Sequence, residues 1–184
     1  MDATTQQGIS GDEYLLPACP APGFLIIMGS AFSPMPHRAV ILVVEDDDNN
    51  LLLLRHAFEQ AGIVNPVQIA TTGEAAIAYL GGTSPYCDWI QFPLPSMVLL
   101  DVKLPGMDGF EVLRWIRQQS GLRTLRVAML TSSDFDQDIT TAYEAGANAF
   151  LTKPLGFDNF VQMMRVFHAH WLEFAQAPTV SRAG

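Results

Sequence analysis

Val40-Ile41-Leu42-Val43-Val44, followed at once by Glu45-Asp46, sets the reading of this chain. An apolar run rich in β-branched side chains suits a strand buried on both faces, and here it ends in two acids. Working outward, a helical pattern runs from about Asp48 to Ala61 and stops at Gly62. Val67 to Ala70 makes a second strand, and Thr72 caps a helix from Gly73 to about Leu80. Met97 to Asp101 is a third strand with a helix from about Gly109 to Gln119 behind it. Arg126 to Leu130 is the fourth strand, with a helix over Phe135 to Ala145. Ala147 to Leu151 is the fifth, with a long helix from Leu155 to about Gln176. Alternating β and α elements of this length imply an α/β fold: a doubly wound, five-stranded parallel sheet with helices on both faces and right-handed crossovers.

Composition limits what such a domain can do. The chain has 184 residues, enough for one core, and 49% of them are hydrophobic against 16% charged. A net charge of -9 with only 10 Lys and Arg argues against a nucleic-acid partner, because phosphate binding needs clustered cations. Cys19 and Cys87 have no metal-ligand spacing and read as unpaired thiols, which makes the cytoplasm the default location. The apolar stretch from Phe24 to Phe32 is too short to span a bilayer, so no membrane association is expected. Residues 1–37, with many Gly and Pro and no sustained period, read as a disordered extension, and Met35 offers an alternative start. The domain proper is expected over 38–176, followed by a tail over 177–184. Residues 83–95 hold three prolines and no clear period, and read as a surface insertion.

In an open parallel sheet the functional site lies beyond the carboxyl ends of the strands. Glu45, Asp46, Asp101, Thr131 and Lys153 all fall there. An Asp after a strand is usually a helix cap. So many acids at one sheet edge, however, are a costly clustering of like charge unless a cation lies among them. Mg2+ suits oxygen ligands of this kind. Asp46 and Asp101 are the expected ligands, with Glu45 acting through bound water and the backbone carbonyl of Lys103 turned back to the metal. A carboxylate can attack phosphorus to form an acyl phosphate, and Asp101 is best placed to do so. Lys153 would neutralise phosphoryl charge and Thr131 would donate its hydroxyl to a phosphoryl oxygen. Phe150 could fill the space that Thr131 vacates, giving a two-position switch; equally, it could be simply core.

These residues carry a resemblance. The stretch from about Ala39 to Trp171 resembles the receiver domain of bacterial response regulators. The motifs are Val43-Val44-Glu45-Asp46-Asp47, Leu99-Leu100-Asp101 through Asp108-Gly109, Met129-Leu130-Thr131-Ser132-Ser133 and Phe150-Leu151-Thr152-Lys153-Pro154. Their order and spacing agree with the family. The resemblance implies a flavodoxin-like strand order of 2-1-3-4-5, Mg2+ dependence and a sensor histidine kinase as phosphodonor. The insertion at 83–95 is similar to that of the regulators serving phytochromes, which points to a phytochrome-type kinase. Lys103 and Ser133 occupy the family's variable positions flanking the phosphorylation site.

Few residues follow the fifth helix, so no DNA-binding or enzymatic output domain is expected and the receiver would act through its own surface. Phe157, Phe160, Val161, Met164, Phe167, Trp171 and Phe174 form a band too broad for one sheet-facing stripe, so part of it should be exposed. The family often pairs through the fourth helix, fifth strand and fifth helix, which implies a homodimer. The chain is not expected to be an enzyme beyond its own phosphorylation and slow dephosphorylation. Two other readings stand beside this one: a degenerate receiver acting as a binding module, and an aspartyl-phosphate hydrolase. The second is disfavoured because Lys103 stands where such enzymes place a second acid.

Overall fold

The computed structural model describes residues 39–132 and 136–172. The expectations for the extension over 1–37, for Ser133, Phe135 and Phe174, and for the tail over 177–184 lie outside them. Within these bounds the chain runs β1 (Ile41–Val44), α1 (Asp48–Ala61), β2 (Val67–Ala70), α2 (Gly73–Gly81) and β3 (Met97–Asp101). It continues through α3 (Gly109–Gln118), β4 (Arg126–Thr131), α4 (Asp136–Glu144), β5 (Ala149–Thr152) and α5 (Phe157–Phe167). All pairings are parallel and the strand order is β2-β1-β3-β4-β5, the doubly wound arrangement expected.

Alternation along the buried strands divides the core into two layers. Ile41, Val43, Met97, Leu99, Ala128 and Leu130 face one side, where Leu54 and Phe58 of α1 and Phe160, Val161 and Met164 of α5 cover them. Leu42, Val44, Val98, Leu100, Val127 and Met129 face the other, against Tyr79 and Leu80 of α2 and Val112, Leu113 and Ile116 of α3. Strands buried on both faces read as continuous apolar runs, which is why period-two alternation is not visible in the sequence. Among the described residues no helix is long and apolar enough to cross a membrane.

Several boundaries differ from expectation for identifiable reasons. The fifth strand begins at Ala149, not Ala147, because the Ala147 N–H caps α4 by donating to Ala142 O at 2.9 Å, after Gly146 has taken φ +93°. The fourth strand extends through Thr131, which pairs with Thr152. The fifth helix starts at Phe157, after Gly156 in an extended, positive-φ conformation, and passes into a π-helical turn over His168–Leu172. Its apolar band is split as expected: Phe160, Val161, Met164 and Phe167 are core, while Phe157 is exposed and Trp171 half-buried.

The segment 83–95 is not purely a surface feature. Tyr86, Phe92 and Leu94 pack on the α2–α3 side of the core. Tyr79, Tyr86 and Phe92 form a three-ring cluster with centroids 5.1 to 6.0 Å apart, and the Tyr79 hydroxyl donates to Pro93 O at 2.7 Å. The start of the segment, Thr83 to Pro85, and its tip, with Trp89 and the almost fully exposed Ile90, face solvent. Cys87 in this segment is disulfide-bonded, which corrects the expectation of unpaired thiols.

Candidate phosphoryl-acceptor and metal site

Three loops at the carboxyl end of the sheet build the site, and each is held by its own short-range chemistry. After β1, Asp47 caps α1: its Oδ1 accepts from the N–H groups of Asn49 at 2.7 Å and Asn50 at 2.9 Å. The Asn50 N–H, followed by that of Asn49, holds the Asp47 carboxyl below its ordinary range. That cap leaves Glu45 buried and Asp46 exposed at the mouth. After β3, Asp108 and Glu111 form a capping box that starts α3. Gly109 lies so close beneath Asp101 that a Cβ there would sit 2.1 Å from Asp101 O, so only glycine lets the loop fold over the strand end. After β5, the Lys153 N–H donates to Thr131 O at 2.7 Å, which ties the two strand ends together.

The side chains converge. Glu45, Asp46 and Asp101 each place a carboxylate oxygen within 4.8 Å of the others. Lys153 Nζ donates to Glu45 Oε2 at 2.7 Å and stands 3.6 Å from Asp101 Oδ1. Three carboxylates against one ammonium leave two negative charges uncompensated when all are ionised. Asp101 is only 8% exposed. Burial pushes its pKa up to about 6; Lys153 pulls it back, Glu45 adds to the rise, and the N–H groups of Lys103 and Val102 lower it. A compact set of hard oxygen donors with surplus negative charge fits a divalent cation such as Mg2+ or Mn2+.

Other expected site residues take defined places. Thr131 is fully buried at the end of β4, one residue past Leu130, the cross-strand partner of Asp101. Phe150 pairs with Met129 on β5 and is half-buried against the α2–α3 side of the core. Lys103 has an exposed side chain and reaches Asp101 through its backbone N–H.

Sequence reading missed two features. Asn50 Nδ2 donates to Glu45 Oε1 at 3.0 Å, and the Asp47 N–H reaches the same oxygen at 3.3 Å. An Asn in the first turn of a helix reads as ordinary cap chemistry, so nothing local signals this contact. A cavity of about 310 Å3 also opens beside the site, lined by Glu45 and Lys153 at its polar end and by Leu53, Leu155, Phe157 and Phe160 at its apolar end.

Known proteins share this family and fold. The family model described as the response regulator receiver domain matches residues 41–165. The probable methanogenesis regulatory protein FilR2 of Methanothrix harundinacea is 36% identical over 130 residues, covering 68% of this chain and 78% of that protein. Response regulator Rcp1 of Synechocystis is 33% identical over 139 residues, covering 76% and 92%. The crystal structure of its Mn(2+)-bound form superimposes with a TM-score of 0.68 over 77% of this chain and 99% of that one. Response regulator RPA3017, in red light signaling of R. palustris, gives a TM-score of 0.73 at 34% identity, again over 77% and 99%.

Proposed function

The chain belongs to the response regulator receiver-domain family, and on that premise we propose that it is a phospho-accepting signalling domain in which Asp101 takes a phosphoryl group from a sensor histidine kinase. The observation that carries this reading is the cluster of Glu45, Asp46 and Asp101 with Lys153 closed over it. In the transfer, an ionised Asp101 oxygen attacks phosphorus, an O–P bond forms, the N–P bond of the phosphohistidine breaks, and the released imidazole takes up a proton. Lys153 offsets charge on the equatorial phosphoryl oxygens, and Thr131 donates its hydroxyl to one of them. Asp46, Asp101 and the Lys103 carbonyl would hold a divalent cation, with Glu45 acting through bound water, and the cation would supply further charge neutralisation; Mg2+ is the expected ion. Without a metal, burial raises the Asp101 pKa to about 6, so the nucleophilic carboxylate form predominates above that pH, and a bound cation would favour that form further.

Phosphorylation would draw Thr131 toward the new charge, with Phe150 moving into the vacated volume and altering the surface of α4, β5 and α5. The likeness to the cyanobacterial phytochrome response regulator RcpA and to the bacteriophytochrome response regulator AtBRR supports a phytochrome-type kinase as the donor. Homodimerisation through α4, β5 and α5 is supported by a groove lined by Leu151, Met163, Val166 and Trp171 on that face. Multi-angle light scattering that finds only monomer at micromolar concentration, phosphorylated or not, counts against the dimer. A cytoplasmic location follows from the phosphodonor, which a kinase makes from ATP, and no longer from the cysteines. Residues 38–176 are the receiver unit in this reading.

Intact mass after incubation with acetyl phosphate and Mg2+ tests the whole reading. The wild-type chain should gain one phosphoryl group and Asp101→Asn should gain none. No gain in the wild type, or an equal gain in both, overturns it.

A further inference from the structure

Glu45 is held from both sides. Its Oε2 accepts from Lys153 Nζ at 2.7 Å, while its Oε1 accepts from Asn50 Nδ2 at 3.0 Å and from the Asp47 N–H at 3.3 Å. Each carboxylate oxygen has two lone pairs, so these bonds orient the group and still leave room for a metal-bound water. The Asn50 assignment is set by charge, because the opposite amide orientation would point its carbonyl oxygen at a carboxylate. Lys153 alone cannot fix Glu45, since the same ammonium is shared with Asp101 at 3.6 Å. Once a phosphoryl group recruits Lys153, Asn50 and the Asp47 N–H become the remaining anchors. Asn50 is itself immobilised: it lies in the first turn of α1, and its N–H is bound to the capping Asp47 side chain at 2.9 Å.

We propose that Asn50 is a positioning residue for the divalent-cation pocket, setting its affinity by holding the Glu45 carboxylate in the orientation shared with Asp46 and Asp101. The proposal rests on the receiver reading above. It makes the first turn of α1 part of the pocket: the residue that caps the helix and the residue that orients the acid are joined by one hydrogen bond. Outer-shell partners that orient a metal-site acid typically change affinity by ~10-fold or more when removed. Asn50→Leu is the clean probe, because leucine keeps the γ-branched shape, suits a helix and cannot hydrogen-bond.

Isothermal titration of the full chain with Mn2+ tests it, alongside the thermal midpoint without metal. Wild type should bind Mn2+. Asn50→Leu should bind ~10-fold more weakly with a metal-free midpoint close to that of wild type, and adding Asn50→Leu to Glu45→Gln should weaken binding little further, because the two act in series. If Asn50→Leu binds as wild type does, or if it costs the same factor with Glu45→Gln present, the positioning role is overturned while the receiver reading stands. A wild-type chain that binds no Mn2+ overturns both.

Discussion

The two ends of the sheet bury charge in opposite ways. At the amino ends of β4 and β5, the Arg117 guanidinium donates to Gly146 O and Leu125 O, both at 2.9 Å, and to Asn148 Oδ1 at 3.0 Å. Asn148 Oδ1 also accepts the Val127 N–H at 2.8 Å. Partial burial lowers the Arg117 pKa, yet each of these partners is a neutral acceptor at good distance, so the charge at this end is satisfied and structural. At the carboxyl ends, Glu45, Asp46 and Asp101 share one ammonium and keep surplus negative charge. The difference teaches where to look for function: a charge whose partners satisfy it stabilises, whereas a cluster left over-charged could bind a divalent cation and is the place to test for chemistry.

The contrast can be broken most severely at Lys153. Lys153→Met is expected to slow phosphorylation from acetyl phosphate by ~10²-fold, by analogy with removal of one charge-stabilising group in other active sites. Time-resolved intact mass measures this, and an unchanged rate would show that Lys153 merely fills the pocket. At the opposite end, Arg117→Met should destabilise by ~2–3 kcal/mol in urea unfolding, because buried acceptors lose their donor. The folded fraction should still be phosphorylated at the normal rate. A variant as stable as wild type would mean that water replaces the guanidinium at no cost.

Asp101→Asn sharpens the contrast in the other direction: removing the proposed phosphoacceptor should stabilise. The folded state holds the Asp101 proton up to about pH 6, against 3.8 for the ordinary group. The folded protein therefore binds more protons than the unfolded one across that window, and metal-free stability falls as pH rises through it. After allowing for solvent at the open mouth, the contribution is on the order of 1–2 kcal/mol. Calorimetry at pH 7.5 without metal should show a higher midpoint for Asp101→Asn, with the gap closing at pH 4. A gap that persists at pH 4 would assign the effect to something other than charge. The smallest effect belongs to the insertion, where Tyr79→Phe should cost ~1 kcal/mol by removing the bond to Pro93 O.

Legibility tracked distance along the chain. The capping box of Asp108 and Glu111 spans three residues and the Asp47 cap two or three, and such signals are local. The four motifs could be read because each couples a buried strand to the residue that ends it. By contrast, Ala147 looks like strand until the Schellman-type closure of α4 takes its N–H, and Thr131 looks like loop until Thr152 pairs with it. The aromatic residues at 86 and 92 carry no period, so only the neighbouring Tyr79 reveals that they are core.

Sequence alone determined the βα alternation, the sheet-end location of Glu45, Asp46, Asp101, Thr131 and Lys153, and the chemistry that those residue types can support. Hydrophobic runs and caps act over a turn or a strand, and that range is short enough to be written locally. Tertiary structure alone decided that Lys153 closes on Glu45 at 2.7 Å across a sequence separation of 108. It also decided that Asn50 serves Glu45, that Arg117 clasps Asn148, and that burial lifts the Asp101 pKa. Those outcomes depend on which surfaces meet when the sheet closes, and on the low dielectric that the meeting creates around a charge.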